Sequence, residues 1–162
     1  MTIFITGTPI ETAQTLDPKR LNKQVLECQW IIDMAEGKTK EKNHPAYLMY
    51  KYSITFVKYY QQCLRFYRKH LKQEKAGNDE SSKLLLKLAL DSSKKAESIK
   101  PAFICKELSE NFKKRLYTKD PDYYKQFEDL GKTEANYYFV DGNWLRYENG
   151  KKEIDNNFIK RE

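Results

Sequence analysis

Arg20, Lys23, Gln24 and Glu27 lie in the stretch DPKRLNKQVLEC (17–28), at a spacing that gathers all four on one strip of a helix. With Arg20 as origin and ~100° per residue, they fall between about 300° and 40°. Ile31 and Met34 continue the strip as apolar residues. Leu21, Val25, Cys28, Ile32 and Ala35 fall between about 60° and 140° and form the expected core face, with Asn22, Gln29 and Asp33 near about 180° to 220° as the solvent face. A strip that begins polar and ends apolar is the pattern of a helix entering the floor of a cleft. A carboxylate ringed by cations there can move protons beside a phosphate-binding surface. The same spacing also makes Lys23 and Glu27 an ordinary i, i+4 ion pair. Periodicity alone leaves both open.

The elements that must position this strip can be read in outline. Asp17 is a helix N-cap, Pro18 fits the first helical position, and Gly37 is a C-terminal stop. Ahead of it, TIFITG (2–7) is a strand or an extended arm leading into a Gly/Thr/Pro turn. GKTKEKNHP (37–45) is a polar, basic loop. The aromatic segment 46–71 lacks Gly and Pro and predicts one central helix. KQEKAGNDESS (72–82) reads as a solvated, flexible connector, and 83–99 as the next helix. A further helix is expected over 104–117, with another helical turn at Asp120-Pro121. Asp141-Gly142 between two aromatic-rich runs signals a hairpin, which a second turn at Asn149-Gly150 would extend. The expected fold is mainly α: a single compact helical domain with a small C-terminal antiparallel β-hairpin, divided into a helical core (1–133) and a hairpin and tail (134–162).

Bulk composition narrows the partners. The 162 residues hold 30 Lys and Arg against 23 Asp and Glu, a net charge of +7, and 12 tyrosines. A basic surface rich in planar side chains suits a polyanion such as nucleic acid; a lysine-rich, solvated surface is the plainer reading. Cys28, Cys63 and Cys105 form no CxxC pair and read as reduced thiols of an intracellular protein. No apolar run approaches ~18 residues, so no membrane association is expected. His44 and His70 lie far apart, and no acidic group has metal-ligand spacing, so neither metal nor cofactor is expected.

Three stretches in order, LDPKRLNKQVLE, NHPAYLMY and RLYTKDPDYYKQF, resemble the pyrimidine-dimer DNA glycosylase family, the phage endonuclease V type and its bacterial relatives. The resemblance is clearest over 16–50 and 111–127. It implies a DNA repair enzyme that cuts the glycosidic bond of a damaged pyrimidine and then breaks the strand at the abasic site. The implied nucleophile is the α-amine left on Thr2 once Met1 is removed. Such an amine has a pKa of about 7.7–8.0, against about 10.4 for lysine, so a useful fraction is neutral at cell pH. Without the resemblance, Thr2 is only the start of a strand.

The family's catalytic carboxylate falls on Glu27, with implied roles in stabilising charge on the sugar and moving protons. The family Arg before it is absent, because position 26 is Leu. Arg20, Lys23 and Gln24 are expected to line the DNA cleft. His44 matches the Asn-His-Pro stretch as a DNA contact or as a cap for the next helix. Lys113, Arg115, Lys119 and Tyr124 are expected to contact phosphates or stack on bases. Tyr123, Tyr124 and Phe127 have packing as their alternative, which Phe127 favours. The expected partner is damaged or abasic double-stranded DNA, bound by a monomer in the cytoplasm of a bacterial or phage-infected cell, at the nucleoid. The competing class is a non-catalytic DNA-binding protein on the same scaffold. A Thr2 nitrogen more than about 8 Å from the Glu27 carboxylate would favour it.

Overall fold

The computed structural model describes residues 2–159. Within them the chain forms α1 (Pro9–Thr15), α2 (Pro18–Ala35), α3 (Pro45–Tyr50), α4 (Ile54–Lys75), α5 (Asp79–Ser98) and α6 (Lys106–Lys119). Three strands follow, β1 (Asn136–Val140), β2 (Asn143–Glu148) and β3 (Lys151–Ile154). The fold is mainly α with a small antiparallel sheet at the C-terminal end, as the patterning predicts.

Among the described residues the N-terminal TIFITG segment pairs with no strand; it is a buried extended arm, with Thr2 to Thr6 all shielded from solvent. Helix α1 follows where the sequence suggested only a turn. Thr8 and Glu11 form a reciprocal capping box around Pro9, which satisfies the first free N–H groups. Seven residues are too few for a hydrophobic period to show.

Helix α2 begins and ends where Asp17-Pro18 and Gly37 place it. Leu21, Val25, Cys28 and Ile32 are buried as the expected core face, but the expected solvent face is only partly open. Gln61 Nε2 on α4 donates to the Val25 carbonyl and to Gln29 Oε1, each at 3.0 Å, and Arg68 Nη1 donates to Asn22 Oδ1 at 3.2 Å. The side expected to meet water is therefore bordered in part by α4, with Asn22 exposed and Gln29 and Asp33 half-buried. Ala35, assigned to the core, is exposed at the helix end, and the solvent edge runs through Lys19, Lys23 and Leu26.

The expected central helix is two helices. The chain breaks at Lys51–Ser53, where the Ser53 N–H closes a turn onto the Tyr50 carbonyl at 2.8 Å. The break lets Tyr50 and Phe56 both face the core. Conversely, the expected flexible connector is mostly helix, broken only at 76–78. Helix α4 continues to Lys75, and α5 starts at Asp79 after a turn in which Gly77 has φ +80°, a conformation that suits glycine at a helix end.

Helix α6 lies within two residues of its expected span, and a 3₁₀ turn (Lys125–Leu130) follows the Asp120-Pro121 turn. The C-terminal unit is a three-stranded meander in the order β1-β2-β3. Asp141-Gly142 and Asn149-Gly150 both take positive φ, at 51° and 80° and at 50° and 75°, as tight primed turns require.

The arm, helices and sheet share one core. Ile3 and Ile5, Leu21 and Ile31, Phe56 and Leu64, Phe112 and Leu116, and Tyr138 and Trp144 belong to a single buried cluster. Each such side chain stabilises the fold by about 1.5–3 kcal/mol relative to exposure. Among the described residues, no helix is long and apolar enough to cross a membrane.

Candidate active site at the N-terminal arm

The arm runs along the polar strip of α2, and one side chain fastens it there. Gln24 Oε1 accepts from the Phe4 N–H at 2.9 Å, while Gln24 Nε2 donates to the Thr2 carbonyl at 2.8 Å and to Glu27 Oε2 at 3.1 Å. Gln24 mimics a strand edge for a segment that has no strand partner, so its amide satisfies backbone groups that would otherwise be buried unpaired. It is 1% exposed. Gln24 is therefore a buried brace under the arm, where an exposed residue lining the DNA cleft was expected.

That brace sets the Thr2 nitrogen 3.2 Å from Glu27 Oε2. In the intact chain this nitrogen is the amide joining Met1 to Thr2; once Met1 is removed it is the terminal amine. Burial pushes the Glu27 carboxyl above its ordinary pKa, against the opposing pull of the Thr2 N–H, Lys23 and Lys119. A carboxyl so placed keeps its proton to a higher pH than an exposed one. Lys23 Nζ stands 3.9 Å from Glu27 Oε1, with the lysine largely exposed. The expected ion pair thus exists alongside the contact to Thr2.

Cations from two helices converge on this carboxylate. Lys119 is held below the usual lysine range by burial first and then by the charges of Arg115, Lys23 and Arg20. Mutual repulsion of this kind is relieved when an anion enters. Arg20 also pairs with Asp17 at 3.2 Å. Arg115 is tied closer in: its guanidinium lies 5.1 Å from the Phe4 ring centroid and donates to Thr2 Oγ1 at 3.3 Å and to Asn136 Oδ1 at 3.1 Å.

Aromatic residues gather on the Tyr138 side of Thr2. His44 caps α3, its Nδ1 accepting from the Ala46 N–H at 3.1 Å. That bond assigns the proton of the neutral ring to Nε2, and burial lowers the pKa of His44 below its ordinary value. The ring meets Trp30 and Tyr138 edge-on, at 5.4 and 6.2 Å between centroids. The cap reading of His44 is the one this hydrogen bond supports.

Two residues expected to contact DNA have their partners away from Glu27. Tyr124 is fully buried; its hydroxyl donates to the Asp17 carboxylate and accepts from the Asp17 N–H, so it fastens the start of α2 and has no face free for a base. Lys113 lies over the Phe127 ring, 5.8 Å from its centroid, and its charge acts on Glu11 of the α1 cap rather than on Glu27. Phe127 stacks on Tyr124, as its packing reading has it.

Sequence reasoning missed Trp30, Asn136 and Tyr138. Asn136 and Tyr138 are two apart on β1 and so share a face, but nothing in the sequence links that face to residue 2. Leu26, where the resembling family carries Arg, is 68% exposed on the solvent edge of α2.

No curated protein and no solved structure matches the chain. Residues 1–70 match the family described as pyrimidine dimer DNA glycosylase, the family the sequence resembles, and the matched stretch carries Thr2, Gln24, Glu27 and His44.

Proposed function

We propose that this protein is a DNA repair glycosylase that also breaks the strand at the abasic site, with Thr2 as nucleophile and Glu27 as the proton-handling carboxylate. The observation that carries this reading is the 3.2 Å contact between the Thr2 nitrogen and Glu27 Oε2, within a cluster of cations. Two residues 25 positions apart meet at hydrogen-bond distance through an arm held in place by Gln24.

With Met1 removed, the neutral Thr2 amine attacks C1′ of the damaged nucleotide. The C1′–N bond to the enzyme forms as the bond to the base breaks, and the base leaves with that electron pair. Glu27 takes the proton released by the attacking nitrogen and returns it to the sugar ring oxygen as the ring opens to the imine. Glu27, ionised again, takes a proton from C2′, and that bond's electrons form a C2′–C3′ double bond as the C3′–O bond breaks and the 3′ phosphate leaves, which cuts the strand. Lys23, Lys119 and Arg20 supply the positive field that draws the phosphates in, and double-stranded DNA carrying a damaged or abasic site is the substrate.

The test is borohydride trapping on a duplex with one abasic site, using protein verified by mass to begin at Thr2, followed by peptide mapping. An adduct on the Thr2 nitrogen that is lost in Glu27→Gln is the expected result. An adduct on Lys119, whose lowered pKa makes it the competing amine, would overturn the assignment of the nucleophile. DNA binding without any adduct would leave a non-catalytic DNA-binding protein.

A further inference from the structure

We infer that the C-terminal sheet completes the active site, with Asn136 as a positioning residue that fixes Thr2 through its side-chain hydroxyl. The inference rests on the reading of Thr2 as the nucleophile, and it concerns a part of the chain beyond the family-matched residues 1–70.

Thr2 is held by contacts from three elements. Helix α2 takes its main chain, through Gln24 on the carbonyl and Glu27 on the nitrogen. Helix α6 and strand β1 take its side chain: Asn136 Nδ2 donates to Thr2 Oγ1 at 2.7 Å, Arg115 Nη1 donates to it at 3.3 Å, and the Tyr138 hydroxyl lies 3.3 Å away. The Asn136 amide is itself oriented, because its Oδ1 accepts from Arg115 at 3.1 Å and its Nδ2 also donates to the Tyr138 hydroxyl at 2.6 Å. That pattern assigns oxygen and nitrogen to opposite sides of the amide.

The hydroxyl contact becomes more important once the initiator is gone. Thr2 is then a chain end, and its nitrogen can swing about the Cα–C bond with no preceding residue to restrain it. Gln24 holds the carbonyl side of that bond, so it cannot fix the nitrogen. A side chain pinned at Oγ1 sets the remaining rotation and aims the nitrogen at Glu27. A misplacement of about 1 Å at a reacting atom can cost on the order of a hundredfold in rate. This also gives threonine a purpose at position 2 that alanine or glycine, which likewise end in a free amine, would not serve.

The experiment measures single-turnover borohydride trapping at saturating abasic duplex for wild type, Thr2→Ala, Asn136→Ala and the double variant, each verified by mass to begin at residue 2. Loss of one hydrogen bond to the nucleophile predicts a rate lower by about tenfold in Asn136→Ala, with affinity for a non-reactive abasic analogue unchanged within about twofold. Because Asn136 acts through Thr2 Oγ1, the double variant is no slower than the slower single variant. Asn136→Asp keeps the size of the side chain and an acceptor for Arg115 but sets a negative charge beside the amine. That charge favours the ammonium form, so the pH profile of trapping moves to higher pH.

Multiplicative losses in the double variant, or trapping by Asn136→Ala within about twofold of wild type, would overturn the inference while leaving the reaction intact. An Asn136→Asp profile that does not move would count against it equally, and independently of how well the alanine variant folds. A wild-type protein that forms no adduct would remove the reaction, and the inference with it.

Discussion

Glu27 is a residue under opposing demands. Burial disfavours its ionised form, while the Thr2 N–H, the Gln24 amide and Lys23 favour it, and burial wins. Its folded-state pKa therefore lies above the unfolded value. That difference costs nothing below the unfolded pKa, where both states are protonated, and lowers stability once pH rises through the folded one. Glu27→Gln keeps an oxygen for Thr2 and Gln24 and removes the charge. The variant is therefore expected to be at least as stable as wild type near pH 7, with the advantage vanishing near about pH 4. Its trapping rate is expected to fall by about 10²–10⁴-fold. Urea midpoints at the two pH values check the first part, and a midpoint at pH 7 well below wild type would show that the carboxylate is a net structural asset. The carboxylate itself was legible in the sequence, because helical spacing places Glu27 on the strip. Its partner was not: only the resemblance pointed to Thr2, since no spacing rule connects an N-terminal arm to a helix that begins 16 residues later.

At the scale of elements, the site depends on where α2 starts, and Tyr124 holds that point. Its hydroxyl bonds both the carboxylate and the N–H of Asp17, and the Arg20 guanidinium lies 5.8 Å from its ring centroid. Burial raises the Asp17 pKa, but the Tyr124 hydroxyl and Arg20 outweigh it, and the net value is lowered. A lowered carboxylate stabilises the fold above the unfolded pKa of about 3.9, and the contribution is lost as pH falls through the folded value. Tyr124→Phe leaves two Asp17 groups short of a partner and is expected to cost about 1–3 kcal/mol in urea unfolding near pH 7. The deficit should shrink in acid as the carboxylate loses its charge, and a pH-independent deficit would mean that packing, not the hydrogen bonds, was lost. The sequence could not separate this role from base stacking, since a tyrosine in a basic stretch suits either. Element boundaries followed the same logic. Asp17-Pro18 and Gly37 framed α2, and the Asp-Gly and Asn-Gly turns framed the sheet, because those residues have few other uses. The break at 51–53 carries no Gly or Pro and is set by how Tyr50 and Phe56 enter the core, which is a property of the assembled protein.

Across the whole molecule the +7 net charge is not spread evenly around the site. Arg115, Lys23 and Arg20 all act on Lys119, and Glu27 feels Lys23 and Lys119. Lys113, only six residues before Lys119 on the same helix, acts instead on Glu11 and covers Phe127. A duplex seated at Thr2 and Glu27 would take its phosphates from the first group and leave Lys113 outside the contact. Each phosphate neutralised on duplex DNA contributes about 0.9 to the slope of log K against log salt. Lys119→Ala is therefore expected to flatten that slope by about 0.9 and to weaken binding to abasic and undamaged duplex alike. Lys113→Ala should leave both the slope and the affinity close to wild type, although the two substitutions remove the same charge from the same helix. Fluorescence anisotropy over a series of salt concentrations reads both quantities. Equal losses from the two variants would mean that the net charge of the chain, and not the cluster around Glu27, holds the DNA.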